Sequence, residues 1–327
     1  MPRLRYLIAN NNNFTGSLLS RLFNSSSLSI IDAGYNSFTD NFSHNQPYFP
    51  NIVIMSSKQN QMHGYLPKQF RQMQYLRYLD LSQNNLIGKI LPCLHNISYW
   101  RSTTSEKGII WIDSVALYPR LFFVSKNVVN PYEGDPLLGM SILDLSVNMI
   151  AGIIPQEIGE LKGLRSLNLS NYHIQGFIPM TMADMETIES LDLSHNSLSG
   201  SIPHEMIRLS SLSTFSVAFN NLSGMIPYGG QFSTFLKSIY EGNPGLCGMP
   251  LEKACSTKKD GAKKMIEDGE NKDNCKDLND ALFYSLVTVS FSLGFSGFLA
   301  SVYFNMSWRR KYFKIIDEYY NMYLSNI

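Results

Sequence analysis

One interval governs this chain. Asn12, Asn36, Asn60 and Asn84 stand 24 residues apart, and so do Asn148, position 172, Asn196 and Asn220. The step from 84 to 148 is 64, which is 24 plus 40. Five and three residues before each mark lie small or apolar residues: Leu7/Ala9, Ile31/Ala33, Met55/Ser57, Leu79/Leu81, Leu143/Leu145, Leu167/Leu169, Leu191/Leu193 and Phe215/Val217. Three residues further back stand Leu4, Leu28, Ile52, Leu76, Met140, Leu164, Ile188 and Leu212. Gly follows the mark by four residues in seven of the eight units, Asp40 being the exception. A period of this length, held over eight copies, makes the chain a stack of similar units.

The alternation around each apolar pair predicts one short strand per unit, with Leu inward and its neighbours outward. The Asn turns inward where the chain leaves the strand and hydrogen-bonds the backbone, forming a ladder between coils. Gly then allows a tight bend, and Ile-Pro sets an extended segment. No single unit can bury its apolar face, so neighbours stack into one continuous core with a parallel sheet on one curved face.

Composition narrows the function classes. Only 53 of 327 residues are charged, or 16%, against about 25% for ordinary soluble domains. A net charge of +1 gives no footing for a nucleic-acid binder. The six His show no metal-ligand spacing, and four Cys leave room for a local clasp rather than a disulfide scaffold. No Gly-x-Ser-x-Gly elbow, HExxH or Walker loop is present. Asp80, Asp144 and Asp192 recur on the strand face, yet their repeat spacing marks a structural position rather than acid–base chemistry.

The stretch LDLSHNSLSGSIP, Leu191 to Pro203, resembles the plant-specific leucine-rich repeat. The resemblance implies an α/β solenoid of 24-residue repeats with its parallel sheet on the concave face. Tyr172 departs from the pattern, standing where a ladder Asn belongs; the reading is one lost rung. Four units span 1–96 and four span 138–227. Between them, 97–137 carries Trp100, Trp111 and several other aromatics without the repeat pattern, and resembles the island that interrupts plant leucine-rich repeat receptors. A segment of that length implies structure or function of its own.

The region 228–256 contains GNPGLCGMPLEKAC, where Cys247 and Cys255 resemble the family's cap disulfide. Cys93 reads as a small buried residue, and Cys275 has no evident partner. Six Asn-x-Ser/Thr acceptors, Asn13, Asn24, Asn41, Asn96, Asn168 and Asn221, are expected glycan sites on a secretory route. An acidic tether, 257–280, leads to 24 uncharged residues, 281–304. At about 1.5 Å per residue these suffice for one transmembrane helix. Arg309, Arg310, Lys311 and Lys314 in the tail, 305–327, place the C-terminus in the cytosol by the positive-inside rule. Within the span, Ser290/Gly294, Ser296/Ala300 and Gly297/Ser301 are small residues four apart, suited to close helix approach.

Repeats, island, cap, QFSTF (Gln231 to Phe235), span and the post-membrane WRR (Trp308 to Arg310) together resemble the plant receptor-like proteins. That resemblance implies a plasma-membrane receptor without a kinase domain or cofactor. It would bind an extracellular peptide, protein or glycan and signal through a leucine-rich repeat receptor kinase, in immunity or development. Expected concave-face ligand contacts are Arg5, Tyr6, Tyr35, Lys58, Arg77, Tyr78, Arg165, Glu189, His195 and Phe219. The alternatives are an inhibitor of a microbial enzyme or a non-signalling remnant. Met1 opens inside a repeat with no secretory leader, so the expectation is a natural start further upstream.

Overall fold

The computed structural model describes residues 4–22, 25–42, 48–103, 121–125, 128–132, 139, 141–171, 173–255 and 314, with only the backbone given for 121–125 and 128–132. Asn24, Tyr172, Cys275, most of the island, the tether and the expected span at 281–304 lie outside the described residues. Among the described residues no helix is long and apolar enough to cross a membrane. The chain divides into two units, Met1–Lys263 and Lys264–Ile327, and the first holds the repeats and the cap.

Each of the eight repeats contributes one three-residue strand to a parallel sheet. In order these are Tyr6–Ile8, Ile30–Asp32, Ile54–Ser56, Tyr78–Asp80, Ile142–Asp144, Ser166–Asn168, Ser190–Asp192 and Thr214–Ser216. Strands pair only with their sequence neighbours, and the register keeps the inward residues opposite one another: Leu143 faces Leu79 on one side and Leu167 on the other. The sheet therefore runs unbroken from coil 4 to coil 5 across the 40 extra residues. Part of the extra segment forms an antiparallel hairpin, Leu121–Ser125 with Val128–Tyr132.

A second parallel sheet runs down the flank after the bend, from His63–Tyr65 to Gly245–Cys247. Its Gly residues at the bend take positive φ, and at some positions space requires them as well. Gly200 has φ 75°, and a Cβ there would lie 2.5 Å from the Phe177 ring of the preceding coil. After Ile-Pro, short 3₁₀ turns such as Gln156–Glu160, Met180–Asp184 and His204–Arg208 close each coil, with Pro155, Pro179 and Pro203 extended just before them. Ile158, Met182 and Met206 point from these turns into the core. The packing is close: a Cβ on Gly159 would fall 2.2 Å from the carbonyl oxygen of Thr181.

The asparagines form the ladder the period predicts. Asn84 donates to the carbonyls of Ser57 in the previous coil, at 2.9 Å, and Leu81 and Ser82 in its own, while its Oδ1 accepts from Met62 N–H at 3.0 Å. Asn36, Asn60, Asn148, Asn196 and Asn220 repeat this arrangement. Asn243 adds a rung that the 24-residue interval misses, because it follows Asn220 by 23. It donates to Val217 O at 2.9 Å and accepts from Leu222 N–H at 3.0 Å. The ladder thus runs into the cap, where Phe215, Phe232, Phe235 and Tyr240 pack ring against ring over the end of the core. Cys247 and Cys255 are joined by a disulfide with S–S 1.98 Å. Cys93 is fully buried in the turn Pro92–Asn96.

Candidate functional site

Each strand turns two side chains outward, six and four residues before the ladder Asn. Coils 2 to 5 bury both: Ile30/Asp32, Ile54/Ser56, Tyr78/Asp80 and Ile142/Asp144. Coils 6 and 8 leave Ser166, Asn168, Thr214 and Ser216 half-buried, and in coil 7 Asp192 is half-buried beside a buried Ser190. Besides the first coil, where Tyr6 is half-buried and Ile8 exposed, the open concave surface lies towards the C-terminal coils and carries short hydroxyl, amide and carboxyl groups.

The repeated Asp has a structural task. Its Oδ1 accepts the backbone N–H two residues on: Ser82 at 3.0 Å from Asp80, Ser146 at 2.9 Å from Asp144, and Ser194 at 2.9 Å from Asp192. This turn closes the strand before the ladder Asn, and Asn168 performs it in coil 6, accepting from Ser170 N–H at 3.0 Å. Burial pushes Asp32 up to about 6, with a smaller push from Asp80, against the Gly34 N–H and the Ser56 hydroxyl. Burial and then the Asp80 carboxylate push Asp144 up to about 7, opposed by its Ser146 hydrogen bonds and Lys58. Burial, followed by the charges of Asp80 and Asp144, raises the Tyr78 phenol well above its ordinary range.

The residue before each ladder Asn has φ near 55°: Tyr35, Val147, His195 and Phe219 among them. This left-handed turn throws the side chain onto the rim of the concave sheet. Tyr35 is 38% and Phe219 47% exposed. His195 stacks on Phe219, with ring centroids 4.5 Å apart and planes inclined by 18°. At the opposite edge, Arg165 and Glu189 of successive coils pair at 2.6 Å. Arg5 is exposed there, while Tyr6 and Lys58 are half-buried.

Two expected contacts need correction. Tyr78 is 1% exposed and its hydroxyl donates to Asp80 Oδ2 at 3.0 Å, so it belongs to the packed sheet. Arg77 is also buried, its guanidinium 4.4 Å from the centre of the Tyr99 ring. Tyr99 arrives on a short helix, Ser98–Arg101, at the start of the insertion. On the same helix Trp100 is fully buried and donates Nε1–H to Arg77 O at 3.0 Å, and its carbonyl accepts from Gly163 N–H at 2.8 Å. The start of the insertion is thus latched to coils on both sides of the break. The repeat pattern carries no trace of this latch; the excess of aromatics after Cys93 is its only signal.

The glycan candidates separate by geometry. Asn13, Asn96 and Asn221 are exposed, and Asn41 is half-buried beside His63, with which it forms a bridge. Asn168 is unsuited to carry a glycan, because it sits within the inner sheet and its amide nitrogen donates to Asp144 Oδ2 at 3.3 Å. The span-packing residues Ser290, Gly294, Ser296, Gly297, Ala300 and Ser301 lie outside the described residues. Among the described residues no group of three or more His, Cys, Asp or Glu could hold a metal ion.

Known proteins share this architecture. Residues 75–97 and 187–209 match the Leucine Rich Repeat family. Receptor-like protein 56 of Arabidopsis thaliana is 39% identical over 350 aligned residues, covering 96% of this chain and 36% of that protein. The alignment thus takes in nearly the whole sequence, the insertion and C-terminal segments included. The chain belongs to the plant leucine-rich repeat receptor-like proteins. Receptor-like protein 14 of the same plant is 48% identical over 229 residues, covering 68% of this chain and 23% of that one. The chain spans about a third or less of these receptor-like relatives. Among solved structures, the ectodomain of the Arabidopsis receptor kinase HAESA, in complex with an extended IDA peptide hormone ligand, superposes with a TM-score of 0.51 at 27% identity. The match covers 77% of this receptor-like chain and 39% of that structure.

Proposed function

We propose that this chain forms the membrane-proximal part of a cell-surface receptor. It binds an extracellular peptide, protein or glycan on its solenoid and signals by joining a leucine-rich repeat receptor kinase, in plant immunity or development. The observation that supports this reading is the open C-terminal half of the concave sheet, bordered by the His195–Phe219 stack and the Arg165–Glu189 pair. A rigid sheet presents such groups with little ordering cost on binding. The related HAESA ectodomain was solved with a peptide hormone, which makes a peptide the leading ligand class.

In this reading residues 281–304 span the plasma membrane, the repeats lie outside and the tail lies in the cytosol. Asn13, Asn96 and Asn221 then carry glycans, and the chain contributes recognition without catalysis. Small residues at Gly294 and Gly297 let the kinase's span approach. The test is co-precipitation with leucine-rich repeat receptor kinases from plant membranes, with endoglycosidase digestion alongside. Recovery of a kinase that falls in a Gly294→Leu/Gly297→Leu variant supports the reading. A chain that stays unglycosylated and brings down no kinase refutes it.

A further inference from the structure

The joint between coils 4 and 5 contains an arrangement that ligand recognition does not use. Asp80 and Asp144 are direct partners in register on adjacent parallel strands, and both are buried. Neighbouring strands lie about 4.8 Å apart. Asp80 accepts from the Tyr78 hydroxyl at 3.0 Å, from Ser82 N–H at 3.0 Å and from the Ser82 hydroxyl at 2.6 Å. Asp144 accepts from Ser146 N–H at 2.9 Å and from the Asn168 amide at 3.3 Å. Among the described residues neither carboxyl forms an ion pair.

The surroundings offer little compensation. The strand Ile54–Ser56 presents Ser56 on one side, and Ser166–Asn168 presents Asn168 on the other. Lys58, just beyond the first of these strands, is the described cation acting on Asp144, and Asp32 lies two strands from Asp80 with the same sign of charge. Two adjacent buried carboxylates therefore repel with one partial counter-charge nearby. Such pairs commonly settle by holding a proton.

We propose that Asp144 holds its proton beside the Asp80 carboxylate, and that the loss of this proton as pH rises towards neutrality loosens the joint between coils 4 and 5. The sign follows from linkage. A carboxyl with a raised affinity in the folded state binds its proton more tightly there than in the unfolded chain. The stabilisation is complete below the ordinary carboxyl range and is lost as pH rises towards neutrality. The loss is local, because two like negative charges would face each other across one pair of coils. Leu81 N–H to Asp144 O, 2.9 Å, and Ile142 N–H to Arg77 O, 2.8 Å, are the bonds across that joint that flank the two carboxyls.

Amide exchange and thermal unfolding of the full chain, at about pH 5 and about pH 8, test the proposal. After correction for intrinsic rates, protection at Leu81 and Ile142 should fall roughly tenfold at the higher pH, while Leu193, bonded to Ser216 O in coils 7 and 8, should change little. Asp144→Asn should abolish the difference and should melt roughly 5 °C less pH-dependently than the wild type. Equal loss of protection at both joints, or an unchanged pH profile in Asp144→Asn, would overturn it. Should that variant fail to fold, infrared spectra of an Asp32→Asn chain decide, because Asp32 also holds its proton to about pH 6. A protonated carboxyl band there at about pH 6 that vanishes by about pH 8 supports the proton on Asp144, and no such band overturns it.

Discussion

The asparagine ladder makes a quantitative prediction at Asn148. Its side chain is 9% exposed and ties together coils separated by the insertion. The amide donates to Leu81 O at 3.0 Å, Leu145 O at 2.8 Å and Ser146 O at 3.3 Å, and Oδ1 accepts from Leu86 N–H at 2.9 Å. Asn148→Ala removes the acceptor for a buried N–H, a loss of about 1–3 kcal/mol. The carbonyls lose less, because Leu81 O keeps its bond from Asn84, and they add about 1 kcal/mol. The expected total is roughly 3 kcal/mol, or a melting temperature lower by roughly 6–10 °C. Asn12 is the internal control: it occupies the same register and is exposed, and among the described residues its side-chain amide donates within its own coil, to Ala9 O at 3.1 Å and Asn10 O at 2.9 Å. Asn12→Ala should cost under about 1 kcal/mol. Thermal unfolding followed by circular dichroism compares the two. Equal destabilisation would refute the reasoning, since burial and inter-coil bonding would then not set a rung's worth.

Trp100→Phe should cost about 1–2 kcal/mol in the same assay, because the ring's bulk is largely kept while Arg77 O loses its indole donor. Gly159→Ala should destabilise by about 1–3 kcal/mol, since the added methyl meets the Thr181 backbone and not a movable side chain. Reducing the Cys247–Cys255 bond, or replacing Cys247 with Ser, should cost the cap about 2–3 kcal/mol from its short loop, read as earlier proteolysis after residue 230. Asp32→Asn should remove stability change between about pH 4 and 6, because burial raises Asp32 to about 6 and the wild type loses stability as its proton leaves.

How much of this was legible in the sequence depends on whether a residue answers to its own coil or to a neighbour. Leu143 answers to its own coil: its spacing from Asn148 sends it inward, and it lies fully buried opposite Leu79. The 64-residue step was readable for the same reason, as 24 plus an excess that the sheet ignores. Asn243 escaped because the cap shortens its coil by one residue, while the chemistry it satisfies is unchanged. Tyr78 and Arg77 escaped for another reason. Their register places them outward, but what covers an outward residue comes from elsewhere in the chain, and for Arg77 that cover is Tyr99.

The same distinction explains why the candidate site was only half legible. A solenoid specifies its frame eight times over, so one aberrant unit hardly blurs the frame. Its binding surface is specified once, by residues whose register is fixed and whose identity is free. His195 and Phe219 occupy the register that Gln59 and Gln83 fill in other coils, with the same left-handed backbone. Nothing in the fold demands an aromatic there. Their stacking at 4.5 Å on an exposed rim is therefore a property the frame permits but does not need. The rim at coils 7 and 8 is where selection for a partner has room to act without disturbing the ladder beneath it.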